Sequence, residues 1–165
     1  MHTDVIVVGA GISGISAGYN LKKSCPNKSF LILEGRENLG GTWDLFKYPG
    51  VRSDSDMHTL GFRFKPWMHD KSIADGPSIL NYLNETVDEH SLRENILLNH
   101  NVNSANWNSQ DSIWELEIKD KDGLKNITSS FLFLCGGYYS YSKPHIPNFK
   151  NQENFKGQII HPQFW

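Results

Sequence analysis

Val5-Ile-Val-Val8 is an unbroken β-branched run near the start of the chain, the pattern of a strand buried on both faces in a parallel sheet. It runs into Gly9-Ala-Gly11-Ile-Ser-Gly14. Ile15, Ala17, Gly18, Tyr19 and Leu21 then predict a helix to about Lys23, ended by Cys25-Pro26. A second apolar strand, Phe30-Leu-Ile-Leu33, leads to Glu34. This is a strand–helix–strand unit, for which a right-handed crossover is the expected topology. Residues 35–72 show little periodicity and are rich in Gly, Pro, Asp and aromatic residues, as in a functional loop with short helical turns. Asp75-Gly-Pro77 signals a helix start, with Ile79, Leu80, Leu83 and Val87 as its apolar stripe. The rest predicts strands: Ile96–Leu98 leading towards Val102, the alternating Ile113–Ile118, a turn at Asp122-Gly123, and a buried strand over Phe131–Cys135. Pro144 and Pro147 mark an exit linker. The fold class is therefore α/β, a Rossmann-like parallel sheet with helices and an antiparallel β-meander insertion. Residues 1–150 are expected to form one domain and 151–165 the start of a linker.

Composition narrows the partners. With 165 residues, 38% hydrophobic, the chain is long enough for one domain with a real core. A formal net charge of −2 gives no basic stripe for a nucleic-acid backbone. Cys25 and Cys135 lie far apart, outside any C-x-x-C pair, which argues against a disulfide and suits a reducing cytoplasm. Cys135, closing an apolar run, reads as a buried small hydrophobe. No signal peptide or apolar run of about 18 residues is visible. The seven His residues lack metal-ligand spacing, so no metal is assigned. Phe62-Arg-Phe64-Lys-Pro-Trp67-Met68 interleaves aromatic and basic residues but is short and solitary. It is expected to pack against a further part of the protein or line a substrate path, and the isolated chain is expected to associate through exposed apolar surface.

The candidate chemistry begins at the glycine turn. Gly9 permits a tight turn, Gly11 lets the backbone approach a pyrophosphate, and Gly14 lets the helix pack on the strand. Ile12 and Ser13 open the helix, whose unpaired N–H groups and dipole favour phosphate. Glu34, 20 residues beyond Gly14, is placed to accept hydrogen bonds from a ribose diol. It would repel a 2′-phosphate, so the site suits FAD or NAD over NADP. Gly40-Gly41-Thr42-Trp43 offers main-chain N–H groups and an apolar wall to a flat ring.

That segment resembles the G-G-x-W-like stretch that lies along the flavin in two-dinucleotide flavoproteins, and the late Cys135-Gly136-Gly137 resembles their strand-then-small-residue motif, with Gly136 where Ser or Thr is common. Together they favour FAD. The stretch Gly41–Met57, its continuation Thr59–Trp67 and the ending F-x-G-x-x-x-H-x-x-x-W over Phe155–Trp165 are similar to class B flavin monooxygenases of the Baeyer–Villiger type. The nearest subgroup is that of the mycobacterial ethionamide-activating enzyme, and the resemblance runs from Asp4 to Trp165. It implies that NADPH reduces FAD and that O2 then reacts through a C4a-peroxyflavin. The substrate would be a small ketone, or a sulfide- or thioamide-like compound oxygenated at S or N. It adds Asp44, Leu45 and Gly137 to the FAD contacts and turns the Val102 backbone towards the adenine. Arg52, Ser53 and Asp54 would lie near NADPH, and Asp54 would orient a catalytic Arg contributed from elsewhere in the protein. From its residues alone, Asp54 reads as a loop carboxylate or helix cap, since Ser53–Asp56 is rich in capping residues. The resemblance gives His161 a role in communication between the FAD and NADPH domains; the plainer reading is a hydrogen-bonded linker residue. It also makes the chain the N-terminal part of an enzyme that packs against its own NADPH-binding domain and is inactive alone. A stand-alone FAD-binding module without turnover is the alternative, and a flavin oxidoreductase without oxygenation a weaker third.

Overall fold

A computed structural model describes all residues, Met1–Trp165. Strand β1 (His2–Val8) pairs in parallel with β2 (Phe30–Leu33) on one side and with β6 (Gly123–Leu134) on the other. The two-residue β3 (Ile96–Leu97) extends the parallel part beyond β2. β4 (Asn101–Asn108) and β5 (Ile113–Asp120) continue from β6 as antiparallel strands, giving the order β3-β2-β1-β6-β5-β4.

The continuous apolar runs have the predicted consequence. Val5 and Val7 of β1 join Phe30 and Ile32 of β2 in a core covered by helices α1 (Ile12–Ser24) and α4 (Gly76–Glu89). Ile6 and Leu33 face the other way and pack with Leu116, Ile118 and Ile127, so the antiparallel strands curl over the second face. Burying alternate side chains in two cores explains why no polar residue interrupts Val5–Val8 or Phe30–Leu33.

α4 is capped as its sequence suggests: Asp75 accepts the Ser78 N–H at 2.8 Å, and Pro77 sits in the first turn, where no amide is needed. Between β2 and α4 the loop holds only short helices, α2 (Thr42–Leu45) and α3 (Met57–Leu60). Its aromatic stretch differs from expectation. Phe62 and Trp67 are buried in the main core, and Phe64 stacks on Tyr19 of α1 with centroids 3.6 Å apart. The Tyr82 hydroxyl accepts the Phe62 N–H at 2.7 Å, and the Trp67 indole donates to the Lys71 carbonyl. The segment thus closes this domain's own core; Arg63, Pro66 and Met68 are its exposed residues.

The end of β6 also departs from the sequence reading. Beyond Ser129 it pairs only with β1, and Phe131, Phe133 and Leu134 are exposed. The apolar run has the composition of a doubly covered strand, but nothing within residues 1–165 covers its outer edge. Cys135 lies just past the strand, half-buried, and both cysteines are free. No helix is long and apolar enough to cross a membrane.

Candidate dinucleotide site

The carboxyl ends of β1, β2 and β6 open onto one cavity of about 530 Å³, where ligands of open α/β sheets bind. Its floor is the Gly9–Ser13 turn. Gly9 has φ +100°, and a Cβ there would collide with the Cys135 carbonyl, so only glycine lets β1 and the segment after β6 approach so closely. Gly11 caps α1 without a side-chain hydrogen bond, leaving the first N–H groups of the helix directed at the cavity. Gly14 does not line it. A Cβ on Gly14 would overlap the Gly9 carbonyl oxygen, so its part is to dock α1 against the turn.

Glu34 is 4% exposed and lines the cavity. One carboxylate oxygen accepts the Ala10 N–H at 2.8 Å and the other the Arg36 N–H at 3.0 Å. These bonds fix the side chain between the first turn and the end of β2, with lone pairs remaining for a diol. Gly41, Thr42 and Trp43 form another wall, and Val102, at a β-bulge in β4, a further one. Gly137, with φ +71°, turns the chain back over the opening.

Other predicted residues lie outside the cavity wall. Asp44 is buried behind it in an ion pair with Arg36 at 2.7 Å, and Leu45 ends α2. Ser53 is buried: its amide donates to the Ala74 carbonyl and its hydroxyl accepts the Ala74 N–H. The Arg52 backbone forms an isolated antiparallel bridge with that of Asp75, and the Arg52 and Asp54 side chains are exposed.

Sequence reasoning missed Arg36, His100, Asn101, Tyr139 and Tyr141, which all line the cavity. Arg36 lies in a bend beyond the end of β2 at Leu33, where strand alternation no longer applies, so the sequence carried no signal that would bring it to the cavity. The two tyrosines carried none, since only the reversal at Gly137 brings them there. Tyr139 is pushed up to about 12, first by its hydrogen bond with Tyr138 and then by burial. Burial, then the Glu34 charge, raises Tyr141. Both therefore present neutral hydroxyls at physiological pH. Burial likewise raises the Cys135 thiol, leaving it a poor nucleophile.

The cavity thus brings together the uncapped N–H groups of α1, a fixed carboxylate and the Gly41–Trp43 wall. Residues 7–70 match the family model of the NAD(P)-binding Rossmann-like domain. The chain is 56% identical over 164 residues to the FAD-containing monooxygenase EthA of Mycolicibacterium smegmatis, covering 99% of this chain and 33% of that protein. Along nearly its whole length the chain is similar in sequence to FAD-containing monooxygenases. It is also 51% identical to the probable FAD-binding monooxygenase AlmA of an Acinetobacter species, again over 99% of this chain and 33% of the relative. The chain therefore spans about a third of the length of the curated relatives it matches. In structure it is similar to an oxidized steroid monooxygenase bound to NADP, with TM-score 0.81 and 28% identity over 100% of this chain and 31% of that one. It is similar to cyclohexanone monooxygenase in an open crystal structure as well, with TM-score 0.82 and 27% identity over 99% and 32%.

Proposed function

We propose that this chain is the FAD-binding part of an NADPH- and O2-dependent flavin monooxygenase. The observation that carries this is the single cavity bounded by the Gly9–Ser13 turn, Glu34 and the Gly41–Trp43 wall, in a chain homologous to FAD-containing enzymes. The α1 N-terminus would hold the pyrophosphate, Glu34 the ribose diol, and Trp43 the flavin edge. Bound FAD would supply redox and oxygen-activating chemistry. The protein's own residues bind and orient it: the apolar walls exclude water, and the neutral Tyr139 and Tyr141 hydroxyls add no charge beside it. Glu34, already accepting two N–H groups, disfavours a 2′-phosphate, which supports FAD here and NADPH on another domain of the protein. Arg52 and Asp54, both exposed, are available to such a domain, and Asp54 retains the proposed part of orienting a catalytic cation. Ser53, held by Ala74, would act there through its backbone surroundings. The substrate class is a small ketone or a sulfide- or thioamide-like compound. The free thiols fit a reducing, cytoplasmic compartment.

Reconstitution tests the cofactor assignment. The chain should take up FAD with quenching of Trp43 fluorescence, and NADP+ should not compete. Competition by NADP+, or no uptake, would refute it. Turnover belongs to the longer protein: NADPH- and O2-dependent conversion of a ketone or sulfide supports the monooxygenase reading. FAD binding with no NADPH oxidation in that longer protein would favour a binding module without turnover.

A further inference from the structure

We propose that Arg36 and Tyr141 are positioning residues that clasp the segment after β6 across the dinucleotide cavity. We further propose that Gln163 ties the Phe155–Trp165 motif to this clasp; the cofactor part of the proposal rests on the FAD reading above. Arg36 is held on several sides. Its guanidinium pairs with the Asp44 carboxylate at 2.7 Å and donates to the Gly41 and Asp44 carbonyls at 3.3 and 3.4 Å. Lys47 holds the other Asp44 oxygen at 3.4 Å. A guanidinium so engaged is a fixed planar surface, and the Tyr141 ring lies over it, 5.3 Å from centroid to Cζ. Arg36 and Tyr141 both line the cavity, so their contact joins two of its walls.

The segment carrying Tyr141 belongs to no helix or strand, and side chains anchor it instead. Tyr139 meets Phe46 edge-on, with centroids 4.9 Å apart. Gln163 donates from its amide nitrogen to the Ser140 and Tyr141 carbonyls at 2.9 and 3.0 Å. His161 Nδ1 accepts the Gln163 N–H at 3.1 Å, which leaves Nε2 as the protonated nitrogen donating to the His145 carbonyl at 3.2 Å. The motif therefore grips the backbone of residues 140–145 at three carbonyls. Tyr141 passes that grip to Arg36, and Arg36 to the Gly41–Asp44 wall. Loosening any link frees the flap over the cavity and lets the dinucleotide leave.

The test follows release of FAD from the loaded 165-residue chain into excess apoflavoprotein trap, together with hydrogen exchange of the unloaded chain. Tyr141→Ala should release FAD roughly 3- to 30-fold faster, and Gln163→Ala roughly 2- to 12-fold faster. Tyr141→Phe, which keeps the ring, should restore slow release relative to Tyr141→Ala. Because both residues act through one flap, the double Ala variant should be little worse than Tyr141→Ala alone. Exchange of the amides in 139–145 should rise in both Ala variants even without FAD. If the native chain binds FAD while Tyr141→Ala changes neither release nor exchange, the clasp is wrong and the FAD reading stands. If the native chain never takes up FAD, that reading and the cofactor role of the clasp fall together.

Discussion

Gly11 and Gly14 stand three residues apart in one turn and serve different ends. A Cβ on Gly14 would overlap the Gly9 carbonyl, whereas one on Gly11 meets nothing nearer than the Gly41 Cα at 3.6 Å. Gly14→Ala should therefore lever α1 from β1 and cost about 1–3 kcal/mol in urea unfolding. Gly11→Ala has ordinary backbone angles to adopt and should change stability by no more than about 1 kcal/mol. Its methyl group would instead occupy pyrophosphate space, weakening FAD binding roughly tenfold or more. Equal stability losses in the two variants would contradict this division. Glu34 gives a second test. Its two oxygens each receive a backbone N–H, and an amide can accept only one of them. Glu34→Gln should cost about 1–3 kcal/mol before any cofactor is added; a loss seen only with FAD present would assign Glu34 to the ligand alone.

At the scale of elements, two carboxylates tie secondary structure together. Asp75 caps α4, and Asp75→Ala should lower stability by about 0.5–2 kcal/mol, with Asp75→Asn close to the native chain. Asp4 joins the start of β1 to β2, accepting from the Ser29 hydroxyl and amide at 2.7 and 2.8 Å and from Lys28 at 3.1 Å. The Ser29 hydroxyl bond, then the Ser29 amide and Lys28, lower its pKa from 3.8 to about 2. The folded value is depressed, so this contribution is complete above pH 3.8 and disappears as pH falls through about 2. Asp4→Asn should flatten the thermal midpoint between those limits; an unchanged acid limb would show that other carboxylates govern it. The elements that carry their own signal were legible from sequence. β1, β2, α1 and α4 declare themselves by period, turn chemistry and capping, and the Gly turn plus Glu34 outlined the cavity. The rest depends on partners distant in sequence. Arg36 has a role only because Asp44 and Tyr141 converge on it, and Phe62–Trp67 fills a core whose other half comes from α1 and α4. The run Phe131–Leu134 looks doubly buried because composition records what a strand prefers and cannot say which segment supplies the cover.

For the whole molecule, the uncovered surface is the main physical fact. Phe131, Phe133 and Leu134 form an unpaired strand edge, Leu134 being 74% exposed, and Tyr138, Ile146, Phe149, Phe155, Ile159 and Trp165 add exposed apolar area after it. A free edge that is also apolar is a template for pairing with another chain. The formal charge of only −2 gives weak repulsion to oppose it. The chain should therefore self-associate as its concentration rises, and sedimentation velocity should show mass growing with loading. Phe62–Met68 is not the cause, because Phe62 and Trp67 are in the core. The relevant substitutions are Phe133→Ser with Leu134→Lys, both at exposed positions on the strand edge. This pair should shift the distribution towards monomer while changing unfolding stability by less than about 1 kcal/mol, since neither side chain is buried. FAD should have little influence on the association, because its cavity opens at the strand ends and not along the β6 edge. A monodisperse native monomer at high concentration would show that the edge is protected by its own twist. Association that persists in the double variant would move the sticky surface to the segment beyond Tyr138.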